Sequence, residues 1–508
     1  MDEMSFLSKL RGLPPKVHIL LTVCTFGGSI AGIDTALVSG AQLFFVKRFH
    51  LDTSLQGLTV AATLLGALVG ALLSNKLNKL VGRKGAMFLA GMDAIAAGIT
   101  ESCTDIWEVL LIGRLFLGIC FGIMTSTIPM FLSECAPKHV RGMFTTVYQL
   151  AYAIGYFIGL IVDTIFVHVE HGWHFMLGSV TVPSLVVVCC LFFASESPRW
   201  LFMKGRQEDA WSSLLTLRSS QGAALEEYYE IREWMQREQE DTNSICGFFC
   251  LLYRQPHIRR PILLGIALQF AQQFCGVNAV MFYFEYVLQF AGLSDSHSID
   301  VSLALGFAAV VFTFPAFWLV DRLGRRFLLL TTMPFVSLML WLCGFSFFGG
   351  YKVRLVLNIT GTLLFRLFYG PGLGPVPWII VAEIYPWYVR SPCLTLNSFF
   401  CYLFNFTVSF SWPTMLKSMH AQGAFSFFAS CTLLSTMFIY LFVPETKGLQ
   451  LDSIERLFEQ SFYMIAKENV RNTKERMKKW NICGLNHFCN SKCNNCTKQP
   501  SKTETNIE

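Results

Sequence analysis

The sequence predicts an all-α membrane protein: twelve transmembrane helices in two pseudo-symmetric six-helix bundles, joined by a helical linker. Three observations carry this. Of 508 residues, 53% are hydrophobic and only 15% charged, where a soluble domain holds about a quarter charged. Apolar segments of spanning length recur along the chain, and one long charged stretch divides them six and six. A span takes about 20 mostly apolar residues, so twelve fit with room for loops. The same composition excludes a disordered chain, a collagen and a disulfide-stapled secreted scaffold.

The first six apolar segments fall near 17–46, 56–75, 86–104, 107–133, 143–167 and 176–194. The second six fall near 261–291, 300–320, 327–350, 359–387, 393–416 and 424–443. The expected organisation is a bundle over 1–194, a cytoplasmic linker over 195–260, a second bundle over 261–443 and a tail over 444–508. Six spans, a hydrophilic linker and six spans form the two-half pattern of secondary transporters. In the linker, Gln207–Leu217 and Leu225–Gln239 read as amphipathic, solvated helices. No nucleotide-binding loop, paired-carboxylate cleft or Ser/His/Asp arrangement points to an enzyme.

Lysine and arginine placement sets the expected orientation. Lys76, Lys79, Arg83 and Lys84 follow the second span, Lys138 and Arg141 the fourth, and Arg322, Arg325 and Arg326 the eighth. Short loops rich in such residues stay cytoplasmic, which puts the linker and both termini on that side; Lys47, Arg48, Lys352 and Arg354 run against the rule. The stretch Met1–Lys16 lacks the form of a removable signal peptide. Most of the 17 cysteines lie in apolar runs, such as Cys24, Cys120, Cys189 and Cys190, and read as small hydrophobes. In the tail, the spacings of Cys483, His487, Cys489, Cys493 and Cys496 fit no zinc template. The sequon at Asn358 lies too near the tenth span for use.

Several short motifs occur in a fixed order. They are Gly32-Ile33-Asp34, Gly82-Arg83-Lys84, Gly113-Arg114, Ser133-Glu134, Arg141-Gly142 and Glu196-Ser197-Pro198-Arg199 in the first half. The second half carries Gln272-Gln273, Gly276-Val277-Asn278, Asp321-Arg322-Leu323-Gly324-Arg325-Arg326 and Gly374-Pro375-Val376-Pro377-Trp378. Glu383, Arg390 and Pro444-Glu445-Thr446-Lys447-Gly448 follow. The loops at Gly82 and Gly324 hold the same place in their halves, as a duplicated unit requires. From about Thr25 to Gly448 the chain resembles the sugar porter family of the major facilitator superfamily. The resemblance implies the major facilitator fold and alternating-access transport of a monosaccharide, with a hexose the first choice and polyols or inositol also open.

Gln272, Gln273 and Asn278 are amides in an apolar span, where an unsatisfied polar group is costly. Amides both donate and accept, which suits a guest made of hydroxyls, although amides also join helices. Trp378 follows a proline-rich stretch that must break a helix. Its indole can serve as a wall for a sugar ring or as an interfacial anchor. The resemblance implies that Gln149, Gln272, Gln273 and Asn278 bind sugar hydroxyls, with Tyr283, Trp378 and Asn405 completing the site. It also implies that Arg83, Glu134, Arg141, Glu196, Arg199, Arg322, Arg325, Glu383, Arg390 and Glu445 form salt bridges between the halves. Such a set closes the cytoplasmic side in the outward-facing state.

Asp34 is an acid within a span, which is a functional hypothesis in itself, and Arg114 is its expected partner. In the resembled family, proton-coupled members carry an acid at this position and facilitators often an amide. Proton symport is therefore expected, a uniporter being the alternative and a static ion pair the competing role for Asp34. Loss of the pair leaves a lone carboxylate in apolar surroundings and favours its protonation. Asp93, Glu285 and Arg366 match nothing in the family pattern; each is expected near a water-filled surface, with Glu285, close to the sugar-facing run, a second protonatable group as the alternative.

Ala31, Ile33, Ala309 and Cys401 stand where the family carries aromatic or polar residues, which leaves the choice of sugar open. A non-transporting sugar sensor is a further alternative. The expected partners are a sugar, a proton and the lipid bilayer, with no nucleic acid, cofactor or metal. A monomer in the plasma membrane is expected.

Overall fold

The computed structural model describes residues 14–137, 141–218, 220–238, 255–386, 389–447 and 457–474. Every regular element among them is helical. The first half comprises α1 (Pro15–Arg48), α2 (Thr53–Cys103), α3 (Trp107–Cys135), α4 (Arg141–Phe166), α5 (Gly172–Gly178) and α6 (Thr181–Phe193). The linker holds α7 (Pro198–Met203), α8 (Gln207–Leu217) and α9 (Gln221–Glu238). The second half comprises α10 (Pro256–Gln273), α11 (Val277–Phe290), α12 (Asp295–Thr313), α13 (Ala316–Leu323), α14 (Arg325–Ser346), α15 (Tyr351–Tyr369), α16 (Val376–Ile384) and α17 (Arg390–Phe442).

By length and apolarity, nine helical runs among the described residues can cross a membrane. Two of them, in α2 and α17, are 51 residues long, more than twice what one crossing needs. Each turns sharply once inside: α2 at Gly82 (φ 87°, ψ 172°) and α17 at His420 (φ 56°, ψ 170°). The second and third expected segments therefore lie on α2, and the eleventh and twelfth on α17. The tenth maps onto α15 and α16, with the proline-containing turn 370–375 between them. Helix also covers the segments expected near 143–167 and 176–194.

Without a hydrophobic drive between helices in lipid, close backbone contact through small residues supplies the packing. α2 and α3 show this directly. A Cβ on Gly66 would fall 2.0 Å from the Leu115 carbonyl oxygen, and one on Gly118 2.0 Å from that of Thr63. Many exposed side chains are large and apolar, including Leu72, Leu89, Phe116, Phe192, Phe193 and Leu434, as a lipid-facing surface requires.

The linker helices bury a small core of their own, Trp200, Leu201, Phe202, Ala210, Leu214, Ala224 and Ile231. Arg218 ties that core to the end of α3, donating to the Cys135 carbonyl at 2.7 Å while pairing with Glu227 at 2.5 Å. This is the linker end of the molecule. Contacts that join the halves gather at the opposite, far end. There Gln42 Nε2 donates to the Phe282 carbonyl at 2.5 Å, and Tyr156 donates to that of Met281 at 3.3 Å. Lys47 pairs with Asp295 at 2.6 Å, and Gly57 lies against the Phe410 carbonyl.

Candidate substrate cavity and proton-coupling site

α10 ends at Gln273, and α11 restarts after Gly276, whose backbone is left-handed (φ 75°). The break aligns three buried amides. Gln272 Nε2 donates to the Leu373 and Gly374 carbonyls at 2.9 and 2.8 Å, in the turn between α15 and α16. Gln273 Nε2 reaches Gln272 Oε1 at 3.3 Å and Cys401 Sγ at 3.2 Å, and Asn278 Nδ2 donates to Gln273 Oε1 at 2.5 Å. Both amide donors of Gln272 are thus used by the protein, and Gln272 braces one broken helix against another.

Tyr283 is fully buried and donates to the Ser409 carbonyl at 2.8 Å; Ser409 Oγ in turn donates to Asn405 Oδ1 at 3.3 Å. Tyr283 and Asn405 therefore meet through one residue of α17. Gln149 on α4 and Trp378 on α16 are half-buried; no described contact joins them to the amide row.

Asp34 and Arg114 form a bidentate pair with both residues 1% exposed. Arg114 Nη2 also donates to Thr63 at 3.4 Å. A third charged residue, absent from the sequence expectation, completes the group: Glu101 Oε2 lies 3.6 Å from Arg114 Nη1. Glu101 is fully buried, and neither of its oxygens accepts a hydrogen bond among the described residues. Two carboxyls thus share one guanidinium. The acid stands within the apolar segment 86–104, which was the available signal.

At the linker end the two loop motifs build the same clasp. Gly82 turns the chain so that the Arg83 and Lys84 amides donate to Glu196 at 3.1 and 3.2 Å. Gly324 (φ 93°) does the same, the Arg325 amide donating to Glu445 at 2.8 Å. Arg83 then pairs with Glu134 at 2.8 Å, and Arg325 with Glu383 at 3.0 Å. A hydroxyl completes each copy, Ser197 on Glu134 and Thr446 on Glu383. Burial pushes the Glu196 carboxyl above the usual carboxylate range, opposed by the amides of Ser197, Lys84 and Arg83.

The pairs seen here, with the far end shut, each lie within one half. Arg83–Glu134 lies wholly in the first half, and Arg325–Glu383 wholly in the second, because each arginine follows a sharp glycine turn that aims it back into its own bundle. Arg390 donates to the Ala382 carbonyl, also in its own half. Arg199 is half-buried and Arg322 exposed. The Arg141 side chain, Gly448 and the tail residues Cys483, His487, Cys489, Cys493 and Cys496 lie outside what is described. Two expectations change. Glu285 is fully buried and Arg366 only 8% exposed, so neither borders a water-filled surface; Asp93 is half-buried. Asn358 is fully buried in α15, where no glycan fits.

The family model for sugar (and other) transporters matches residues 20–458. The chain belongs to this family. It is similar to the proton myo-inositol cotransporter of Homo sapiens, with 28% identity over 534 aligned positions, 88% of this chain and 82% of that one. The arabinose-proton symporter of Escherichia coli is 30% identical over 451 positions, covering 88% of this chain and 93% of the relative. Among solved structures, the proton:xylose symporter XylE bound to 6-bromo-6-deoxy-D-glucose superposes with a TM-score of 0.73. Its identity is 25%, over 87% of this chain and 99% of XylE. This member of the sugar transporter family is a multi-pass membrane protein with the major facilitator fold, and a transporter rather than an enzyme.

Proposed function

We propose that the protein carries a monosaccharide, a hexose first, across the plasma membrane by alternating access and proton symport. The buried Asp34–Arg114 pair supports this reading above all else, since an intramembrane acid with a single partner can exchange that partner for a proton. When the pair separates, Asp34 is left in apolar surroundings and takes a proton. Proton and sugar then favour the same closed state, and each raises the apparent affinity for the other. Gln149, Gln273, Asn278, Trp378 and Asn405 contact the sugar, Gln272 contributes its amide oxygen, and Tyr283 closes over the site. The bundles 1–194 and 261–443 rock against each other in a monomer, with the linker, both termini and the two clasps on the cytoplasmic side.

A second substrate reading, inositol or another polyol, stays open because Ala31, Ile33 and Ala309 stand where the resembled pattern has aromatic or polar residues. Similarity to a myo-inositol cotransporter supports it too. The deciding experiment is uptake by proteoliposomes over a panel of hexoses, pentoses and inositol, with and without an imposed proton gradient. Accumulation above equilibrium only with the gradient is expected. Downhill movement alone, identical at every pH, overturns symport and leaves a uniporter; no movement of any member by folded protein overturns the carrier and favours a sensor.

A further inference from the structure

Two carboxyl groups outside the Asp34 site meet at the far end, between the halves. Asp163, near the end of α4, is fully buried, and neither oxygen has a hydrogen-bond partner among the described residues. It faces Gly40 of α1 so closely that a Cβ there would fall 2.6 Å from Asp163 Oδ2. Glu285, on α11 of the other half, is equally buried and accepts the hydroxyl of Ser39, the residue before Gly40. Its Oε1 is unpartnered. Consecutive residues of α1, Ser39 and Gly40, thus hold one acid from each half.

No described ion pair offsets them. Lys47 is 58% exposed and committed to Asp295. The Arg366 guanidinium on α15 sits 5.3 Å from the Tyr156 ring centroid, and Tyr156 spends its hydroxyl on the Met281 carbonyl. Gln42 Nε2 is engaged by the Ser39 and Phe282 carbonyls, and Ser302 on α12 donates to Ser298. An ionised carboxylate buried without a partner is strongly disfavoured, and a second like charge beside it adds repulsion.

We infer that Asp163 and Glu285 form a second proton-binding site, holding at least one proton on Asp163 while the far end is shut. Glu285 spreads its charge onto the Ser39 hydroxyl; Asp163 has no such donor, so the proton resides there. Ser39 and Glu285 belong to opposite halves, so opening the far end breaks their bond and admits water to both acids. The proton then leaves to that side. Its use in transport rests on the alternating-access reading above, but its existence does not.

Infrared spectroscopy of the full-length protein in detergent, titrated in H2O and D2O, tests the site without any sugar. A protonated-carboxyl C=O band is expected in the wild type, lost in Asp163→Asn, shifted in Glu285→Gln and retained in Asp34→Asn. Absence of that band from the wild type at neutral pH, where ordinary carboxyls are ionised, overturns the inference, as does its persistence unchanged in both far-end variants. Its removal by sodium at constant pH also overturns it, in favour of a cation site. If Asp163→Asn does not fold, the wild-type band and Glu285→Gln decide. Proton-driven uptake without the band condemns this site alone, and the band without proton-driven uptake condemns only the symport reading.

Discussion

Glu101 lies 3.6 Å from the guanidinium nitrogen of Arg114 that also pairs with Asp34. One cation therefore serves two buried acids on different helices. Arg114 can yield Asp34 to a proton without becoming an unpaired buried charge, and that reserve gives the first prediction.

Asp34→Asn should fold normally and abolish uphill accumulation while retaining sugar exchange in preloaded proteoliposomes. Undiminished accumulation would reduce Asp34 to a structural tie between α1 and α3.

Removing both acids should behave differently. Asp34→Asn with Glu101→Gln strands Arg114 in the interior, a change that costs about 3–5 kcal/mol when a buried pair loses its partner. Thermal unfolding in detergent should show the double variant far less stable than the sum of the two single ones; additive losses would mean that Glu101 does not stand in for Asp34.

The amide row should divide by task. Asn278→Ala removes one hydroxyl-binding group, and a lost hydrogen bond to a buried polar partner costs about 1–3 kcal/mol. Substrate affinity should fall tenfold or more, with only the loss of stability that one orphaned oxygen, Gln273 Oε1, brings. Gln272→Ala releases the Leu373 and Gly374 carbonyls and should lower stability in detergent as well. Equal stability for the two variants would contradict the bracing role.

The clasps offer a matched pair. Gly82 and Gly324 hold backbone conformations (φ 87° and 93°) open essentially to glycine, and a Cβ would fall 2.3 and 2.7 Å from the gripping carboxylates. Gly82→Ala and Gly324→Ala should each destabilise by about 1–3 kcal/mol, read as parallel drops in thermal midpoint. A drop in one variant only would break the equivalence of the two copies.

Much of this was legible from residues alone. The Gln272–Asn278 amides stood out as polar groups in an apolar run, Asp34 and Arg114 as the opposed charges of two spans, and the Gly82 and Gly324 loops as a repeat. What escaped depends on direction in space. Glu101 and Asp163 sit in the last turn or so of their helices, where an acid normally reaches water, and nothing local marks them as turned inward. The partners of Arg83 and Arg325 in this state escaped for a related reason: sequence order sets their depth, but the glycine φ values set the direction in which each side chain leaves its turn. Glu285 likewise looked wettable until the Ser39 contact closed over it.

The duplicated clasps carry a mechanical consequence. Each welds a sharp bend to a downstream segment through a carboxylate gripping main-chain amides, so neither bend can flex without surrendering several bonds at once. Compliance is thereby expelled from the base of both lobes. Any rocking of the lobes then falls to the seam between them, where α1 meets α11 through the Ser39–Glu285 and Gln42–Phe282 contacts.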